Sequence, residues 1–375
     1  MIKKFLQKIF KKITYLFFFK IYGKIENSID PTNDKRIQVK IVKIDNSLQY
    51  KVYKISNGRL YTDRIHDMAV MLDNKIIEGP SFQIRTGADE NSLIKFSKIK
   101  DNIVFTKGTP RKLINLNGSV LSLLTGGAGN SNYWHWLYDV LPRLEICKKF
   151  FDLDKIDFFL LPGLDKKFQN ETLDFLKIPK NKRISSKKFR HIKAKELIIT
   201  DHPVVTTGNA TEDIKNIPHW IILWLKNNFI NSNKAPNKKS RIYIDRSGDE
   251  SKYQRERYII NEKEIKEYLI KKNFLLVKLH ELHFIEQVNL FYNAECVVGL
   301  HGGGFGNIAF CNPGTKIIEL KSASAGIVIK NLAEKNKLNY NSIAVEPSEQ
   351  KEHDFALQQG SIHVPLGELS KILES

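Results

Sequence analysis

Between residues 241 and 345 the chain alternates short, β-branched apolar runs with stretches of helical periodicity, and no other feature limits its fold as strongly. Runs at 241–245, 274–279, 296–300, 315–320 and 342–345 read as strands, while 262–272, 284–294 and 326–337 carry the 3.6-residue period of helices. Strands that follow one another through helices and short links pair in parallel. The pattern therefore predicts a parallel sheet flanked by helices, a Rossmann-like domain. Ligands of such sheets bind at the carboxyl ends of the strands.

At one of those ends stands Val297-Val298-Gly299-Leu300-His301-Gly302-Gly303-Gly304-Phe305-Gly306-Asn307, an apolar strand running into a turn with four glycines in five positions. Glycine permits positive φ and close approach of another group to the backbone. The amides that open the following helix face outward with a dipole that favours anions. A turn of this kind can hold a phosphate or pyrophosphate. The alternative is a tight connection that is merely glycine-rich.

The first half is less regular. Residues 25–125 read as β-rich, with strand-like alternation at 37–44 and 49–55, a hairpin turn at Asp73-Asn74 and a buried strand at 119–125. A second glycine-rich turn, 126–130, leads into a helix over 132–150, and a strand at 158–161, a helix at 166–176 and a strand at 196–200 follow. The polar, breaker-rich stretch 231–239 suits a loop near a domain junction. No repeat is evident.

At 375 residues and 42% hydrophobic, the chain can build two domains with substantial cores. Cys147, Cys296 and Cys311 are far apart, which argues against a disulfide scaffold or cysteine zinc site and for a reducing compartment. A formal charge of +19 invites a nucleic-acid reading, but the lysines are spread along the chain with no accompanying nucleic-acid module, so nucleic acid is not an expected partner. One cluster does stand apart. Residues 1–24 interleave seven lysines with apolar residues at helical spacing. The longest uncharged stretch, 13–19, falls far short of the roughly 20 residues that span a bilayer. A basic amphipathic helix on an anionic membrane surface is one reading, and a terminal helix packed on its own domain is the other.

Two blocks then point to a family. Asn132-Tyr133-Trp134-His135-Trp136-Leu137-Tyr138-Asp139-Val140-Leu141-Pro142-Arg143-Leu144 resembles the N-Y-x-H-W-x-x-D-x-L-P-R motif of glycosyltransferase family 61. The stretch from Glu286 through His301-Gly302-Gly303-Gly304, Asn307, Phe310 and Pro313-Gly314-Thr315 to Ile318-Glu319-Leu320 is similar to that family's second signature. Arg241-Ile242-Tyr243-Ile244-Asp245-Arg246, with Arg257 and Asn261-Glu262, is a weaker third match. Gly303 stands where the family usually has Ala, and Phe305-Gly306 where it has an aliphatic-Thr pair. Residues 1–118 carry no part of the resemblance.

The resemblance implies a GT-B architecture, two Rossmann-like domains facing a cleft, here with a β-rich N-terminal extension. It implies inverting transfer from a nucleotide sugar, usually without a metal, in bacterial capsular or surface polysaccharide synthesis. The expected division is a membrane-associating segment at 1–24, an acceptor-binding domain at 25–215 and a nucleotide-sugar-binding domain at 216–375. The expected partners are a nucleotide sugar, with UDP-linked donors among the candidates, a glycan or lipid-linked acceptor, and an anionic membrane surface. No cofactor or metal beyond the donor substrate is called for. The protein is then expected in the cytoplasm, peripheral at the inner face of the membrane.

Inverting transfer needs a base for the acceptor hydroxyl and positive charge for the departing diphosphate. His135, Asp139 and Arg143 recur at i, i+4 and i+8 on one stripe. His135 suits the base with Asp139 orienting its ring, Asp139 could be the base itself, or the trio could be a helix-stabilising network. For the diphosphate the candidates are Arg246 and Arg257, the backbone of Gly302, Gly303 and Gly304, and His301 and Asn307 in the same turn. Glu319 is placed for ribose hydroxyls, or for a structural salt bridge. Other readings are a pyruvyl or other group transferase on the same fold, or a non-catalytic glycan-binding relative. A lipase-type oxyanion loop does not fit, because Ser322-Ala323-Ser324-Ala325-Gly326 lacks the first glycine of G-x-S-x-G. Asp152-Leu153-Asp154 reads as a solvated loop, not a metal–nucleotide motif. The glycines at 302–306 likewise do not reproduce a dehydrogenase G-x-G-x-x-G.

Overall fold

The computed structural model describes residues 2–25, 28–45, 48–62, 68–84, 93–95, 110–124, 132–207, 209–230, 239–248, 257–348 and 360–375. The glycine-rich turn expected at 126–130 and most of the 231–239 loop lie outside the described residues. The chain divides into two compact units, 1–213 and 214–375.

The first unit opens with α1 (Ile2–Tyr22) and is built on a ten-stranded mixed sheet. Its strands are β1 (Ser28–Ile29), β2 (Ile37–Lys43), β3 (Gln49–Ser56), β4 (Arg59–Thr62), β5 (Met68–Leu72) and β6 (Lys75–Ile77). After a separate pair, β7 (Phe82–Ile84) and β8 (Leu93–Lys95), the sheet continues with β9 (Ile114–Ser122), β10 (Phe158–Leu161), β11 (Arg183–Ser185) and β12 (His191–Thr200). The order is β1-β6-β5-β4-β12-β9-β10-β11, with β2 and β3 joined to β12 through β3. The β9–β12 half is parallel, while β3, β4 and β5 run antiparallel. This unit is thus less purely Rossmann-like than the resemblance implies. Antiparallel neighbours, β2–β3, β4–β5 and β5–β6, account for half of its strands, and at the β5–β6 turn Asp73 takes a φ of 51°.

The expected 132–150 helix is not continuous. Asn132 caps its start by accepting from the Trp134 amide at 2.9 Å. After one turn the backbone widens to a π-helix at Trp136–Val140, where Leu141 N bonds Trp136 O at 3.1 Å. The α-helical pattern resumes past Pro142 as α2 (Arg143–Lys148). Proline has no N–H and its ring crowds the carbonyl of residue i−4, so an undisturbed α-helix through 142 is excluded. Single π turns of this kind concentrate at functional sites. A further helix, α3 (Lys167–Phe175), follows β10.

The second unit is the parallel sheet that the alternation predicts. α4 (His219–Phe229) precedes β13 (Ser240–Ile244), α5 (Glu262–Lys271), β14 (Phe274–Val277), α6 (Phe284–Tyr292), β15 (Ala294–Leu300), β16 (Lys316–Ser322), α7 (Val328–Lys335), β17 (Asn339–Val345) and α8 (Leu366–Glu374). The order is β14-β13-β15-β16-β17, and all pairings are parallel. One face of the sheet buries Tyr243, Val298 and Ile318 beneath Ile265 and Leu269 of α5 and Leu369 of α8. On α4 and α6, Phe229 and Phe284 stack edge-on at 4.8 Å, and both meet the ring of Phe310. With strands counted from β13, the order is 2-1-3-4-5, and its direction reverses between β13 and β15. Open α/β sheets hold ligands at that reversal, beyond the carboxyl ends of the two strands.

Candidate active site

β13 and β15 deliver Arg246 and His301 to that reversal point. Arg246 Nη1 lies 3.5 Å from the His301 carbonyl, and a Cβ on Gly302 would come within 3.7 Å of the same nitrogen. The guanidinium therefore rests against the bare backbone of the glycine turn. Arg246 and Arg257 line one small pocket, together with Tyr243, Tyr258, Glu262 and Leu300. Its polar wall is braced. Tyr243 donates to Glu262 Oε1 at 3.0 Å, and Lys266 ties Glu262 (3.2 Å) to Asp245 (2.8 Å). Two of the expected diphosphate partners, 11 positions apart in sequence, thus share a cavity.

The turn itself is a 3-10 helix, Gly303–Phe310. Of the two properties expected of its glycines, close approach to the backbone is used and positive φ is not. Gly302 has a φ of 164°, which is extended backbone, and positive φ in this stretch occurs only beyond it, at Gly314. Gly304 is closely approached, since a Cβ there would meet Leu279 Cδ1 at 3.0 Å and Ile244 Cγ2 at 3.4 Å.

His301 and Glu319 form a buried pair. Glu319, with no exposed surface, accepts from His301 Nδ1 with one oxygen and from the Tyr340 hydroxyl with the other. A carboxylate can only accept, so the bond puts a proton on Nδ1 of His301 and fixes its ring. Of the two roles expected of Glu319, these contacts match the structural pair, because both of its oxygens are engaged in the interior. Asn307 is likewise internal. It donates to Gln287 Oε1 at 3.0 Å, and Gln287 in turn holds Leu279 O at 2.9 Å, which ties the turn to α6.

The first unit carries a second histidine–carboxylate pair. His135 Nδ1 meets Asp139 Oδ2 at 2.5 Å across the α-to-π junction. The Asp139 side chain is nearly closed off, whereas that of His135 is 31% exposed. Burial pushes the Asp139 carboxyl up, but His135, with His202 and Arg143 behind it, outweighs burial and holds it below the usual carboxylate range. His202, beyond the end of β12, lies 3.9 Å from Asp139 Oδ2 and accepts the Val204 and Val205 amides on Nδ1 at 3.2 Å each. Burial drives its pKa down to about 3, so it is a neutral neighbour of Asp139 at pH 7. Arg143 is fully buried, and burial lowers it to about 10. It donates to the Asp139 backbone carbonyl at 2.9 Å and to Thr200 O at 3.0 Å, so it locks the turn to β12 and makes no bond to the Asp139 carboxylate. Sequence spacing groups His135, Asp139 and Arg143, but it misses His202 and Tyr340. His202 had one available signal, its position at the carboxyl end of a strand; Tyr340 had none.

Among the described residues, no group of three or more His, Cys, Asp or Glu side chains is arranged to hold a metal ion. Parallel α/β sheets with these constellations at their strand ends fit an α/β glycosyltransferase fold. Residues 133–318 match the family model Glycosyltransferase 61, a span that begins at the helix bearing His135 and closes one residue before Glu319. The match supports membership of glycosyltransferase family 61 and, with it, a glycosyl-transferring enzyme that binds a sugar donor and an acceptor. No curated protein matches the chain.

Proposed function

We propose that the protein is an inverting glycosyltransferase of GT-B architecture. It moves a sugar from a nucleotide-sugar donor to a glycan or lipid-linked acceptor in bacterial surface polysaccharide or lipopolysaccharide assembly, at the inner face of the cytoplasmic membrane. The observation that carries this reading is the sharing of one cleft by Arg246 and Arg257 at the sheet's reversal point, against the Gly302 backbone. Fork-shaped guanidinium groups match phosphate oxygens, and the amides that open the Gly303–Phe310 helix add a favourable dipole. Together they supply the positive charge that a leaving diphosphate requires, so no metal is invoked.

On this reading Asp139 holds Nδ1 of His135 protonated, which leaves Nε2 to accept the proton of the acceptor hydroxyl. The hydroxyl oxygen bonds to the anomeric carbon as the bond from that carbon to the phosphate oxygen breaks. The electron pair leaves with the diphosphate, whose charge Arg246 and Arg257 meet. The test is thermal unfolding with a panel of UDP, GDP, ADP and CDP and their sugars. A ligand at 100 times its Kd stabilises by about 2.7 kcal/mol. One nucleotide class should raise the midpoint in the wild type and fail to do so in Arg246→Ala. If none raises it, the protein does not bind a nucleotide donor and the activity is of another kind; a shift that Arg246→Ala keeps would put the donor site elsewhere.

A further inference from the structure

Residues Ile2–Tyr22 form a helix with two apolar faces, of which the protein uses one. Tyr15, Phe18, Phe19 and Tyr22 make a stripe that packs on Ile25, Tyr61, Ala69, Met71 and Ile76. Phe18 is 3% exposed, stacks on Tyr61 at 5.7 Å and touches His191 at 5.4 Å. The Tyr22 ring meets His191 edge-on at 5.2 Å, its hydroxyl accepts from the Leu113 amide at 3.0 Å, and the Arg59 guanidinium lies over it at 5.8 Å. These contacts seat the end of the helix firmly on the sheet.

At 3.6 residues per turn, the opposite side of the same helix carries Phe5, Ile9, Phe10, Ile13, Leu16 and Phe17. All of these are exposed, Phe17 by 62% and Leu16 by 63%. Isolated exposed apolar residues need no explanation, but a contiguous stripe of this kind marks an interaction surface. Its surroundings select the partner. Residues 1–24 contain seven lysines and no acidic residue, and helical spacing places Lys8 and Lys12 beside the apolar stripe. A lysine there can keep its ammonium at headgroup level while the apolar stripe enters the acyl boundary. Among the described residues no helix is long and apolar enough to cross a membrane.

We infer that α1 is an in-plane docking helix for an anionic lipid surface, clamped to the first unit by Phe18 and Tyr22, so that the unit is held against the bilayer in one orientation and not on a loose tether. The inference rests on the membrane side of the reading above and deepens it; it does not require the glycosyl-transfer side. The exposed stripe and the clamp lie on opposite sides of one rigid rod, so seating the stripe in lipid fixes the direction in which the sheet beneath it faces.

The experiment uses the full chain with vesicles of equal parts phosphatidylglycerol and phosphatidylcholine, and with phosphatidylcholine alone. Sedimentation should show binding to the anionic vesicles that weakens in high salt. The double variant Phe10→Ser with Phe17→Ser should lower the partition constant about 100-fold without moving the thermal midpoint. Nitroxide labels on Ile9→Cys, Ile13→Cys and Leu16→Cys should all report one shallow depth. Phe18→Ala should keep the vesicle binding while the Leu16 label gains mobility on the membrane. Unchanged partition in the double variant overturns the proposal, as do label depths that increase along the helix. A dimer that keeps the labels out of lipid also overturns it and assigns the stripe to a second copy of the chain. A nucleotide panel that shows no binding would leave all of these outcomes intact.

Discussion

Among the described residues two histidines have Nδ1 held by a carboxylate, and the details of each pair separate their roles. Asp139 is buried but serves a half-exposed His135, which an incoming hydroxyl can reach. Glu319 has no exposure, and a second donor, Tyr340, occupies its other oxygen. It positions His301 from the interior, behind the turn that lies against Arg246. Aspartate-to-asparagine at 139 keeps the size but loses the acceptor-only character that fixes the His135 tautomer. The turnover of Asp139→Asn should fall by about 10²–10⁴-fold, with nucleoside diphosphate affinity unchanged by calorimetry. Glu319→Gln should do the reverse in emphasis, weakening nucleoside diphosphate binding about tenfold or more. Equal loss of affinity in both variants would remove this division of labour.

At the scale of elements, the second unit's strands were legible within a few residues, because a parallel sheet covered on both faces demands continuous apolar runs and its helices keep one polar side. α4 was not legible. His219 to Phe229 buries Trp220, Ile221, Ile222, Leu225 and Phe229, so little polar face remains to betray a period. β4 and β5 are buried at every position and show no alternation for the same reason. The π turn at 136–140 was hidden too, since sequence reports the obstruction at Pro142 but not the extra residue that the backbone inserts to pass it. The glycine turn and close approach to its backbone were legible, but the approaching neighbours were not, because Leu279 and Ile244 are distant in sequence. That turn is pinned from both ends. Asn307 holds Gln287 of α6, and Asn336 at the end of α7 donates to Ile308 O at 2.7 Å. Asn307→Ala leaves the Gln287 oxygen buried without this donor, which costs about 1–3 kcal/mol. The loss should appear in urea unfolding together with weaker nucleoside diphosphate binding. Full stability in Asn307→Ala would show that the turn does not depend on this tie.

At the scale of the whole molecule, the described residues of the first unit include two histidines buried as neutral rings, and this ties its stability to pH. His191, within the sheet, is lowered to about 4 by burial, with Arg59 adding to the effect and the Arg111 carbonyl opposing it. His202 is lowered to about 3, again chiefly by burial. In the unfolded chain both titrate near 6.5. Between pH 6.5 and 4 the unfolded state therefore binds more protons than the folded one, so stability falls as pH falls. Each histidine contributes a slope approaching 1.4 kcal/mol per pH unit, and the two together approach about 2.7. Asp139 acts in the same direction but in a lower window. Its folded value is depressed, so its contribution is present above the ordinary aspartate range and is lost only as pH drops through that depressed value. Urea unfolding of the first unit, followed from pH 8 to pH 4.5, should show a plateau near neutrality and then a decline steepening towards two protons. His202→Asn keeps an acceptor for the Val204 and Val205 amides and removes one titrating group, so its decline should flatten by about one proton. A slope identical to the wild type would mean that His202 is protonated in the folded protein, and the neutral ring beside Asp139 would have to be abandoned.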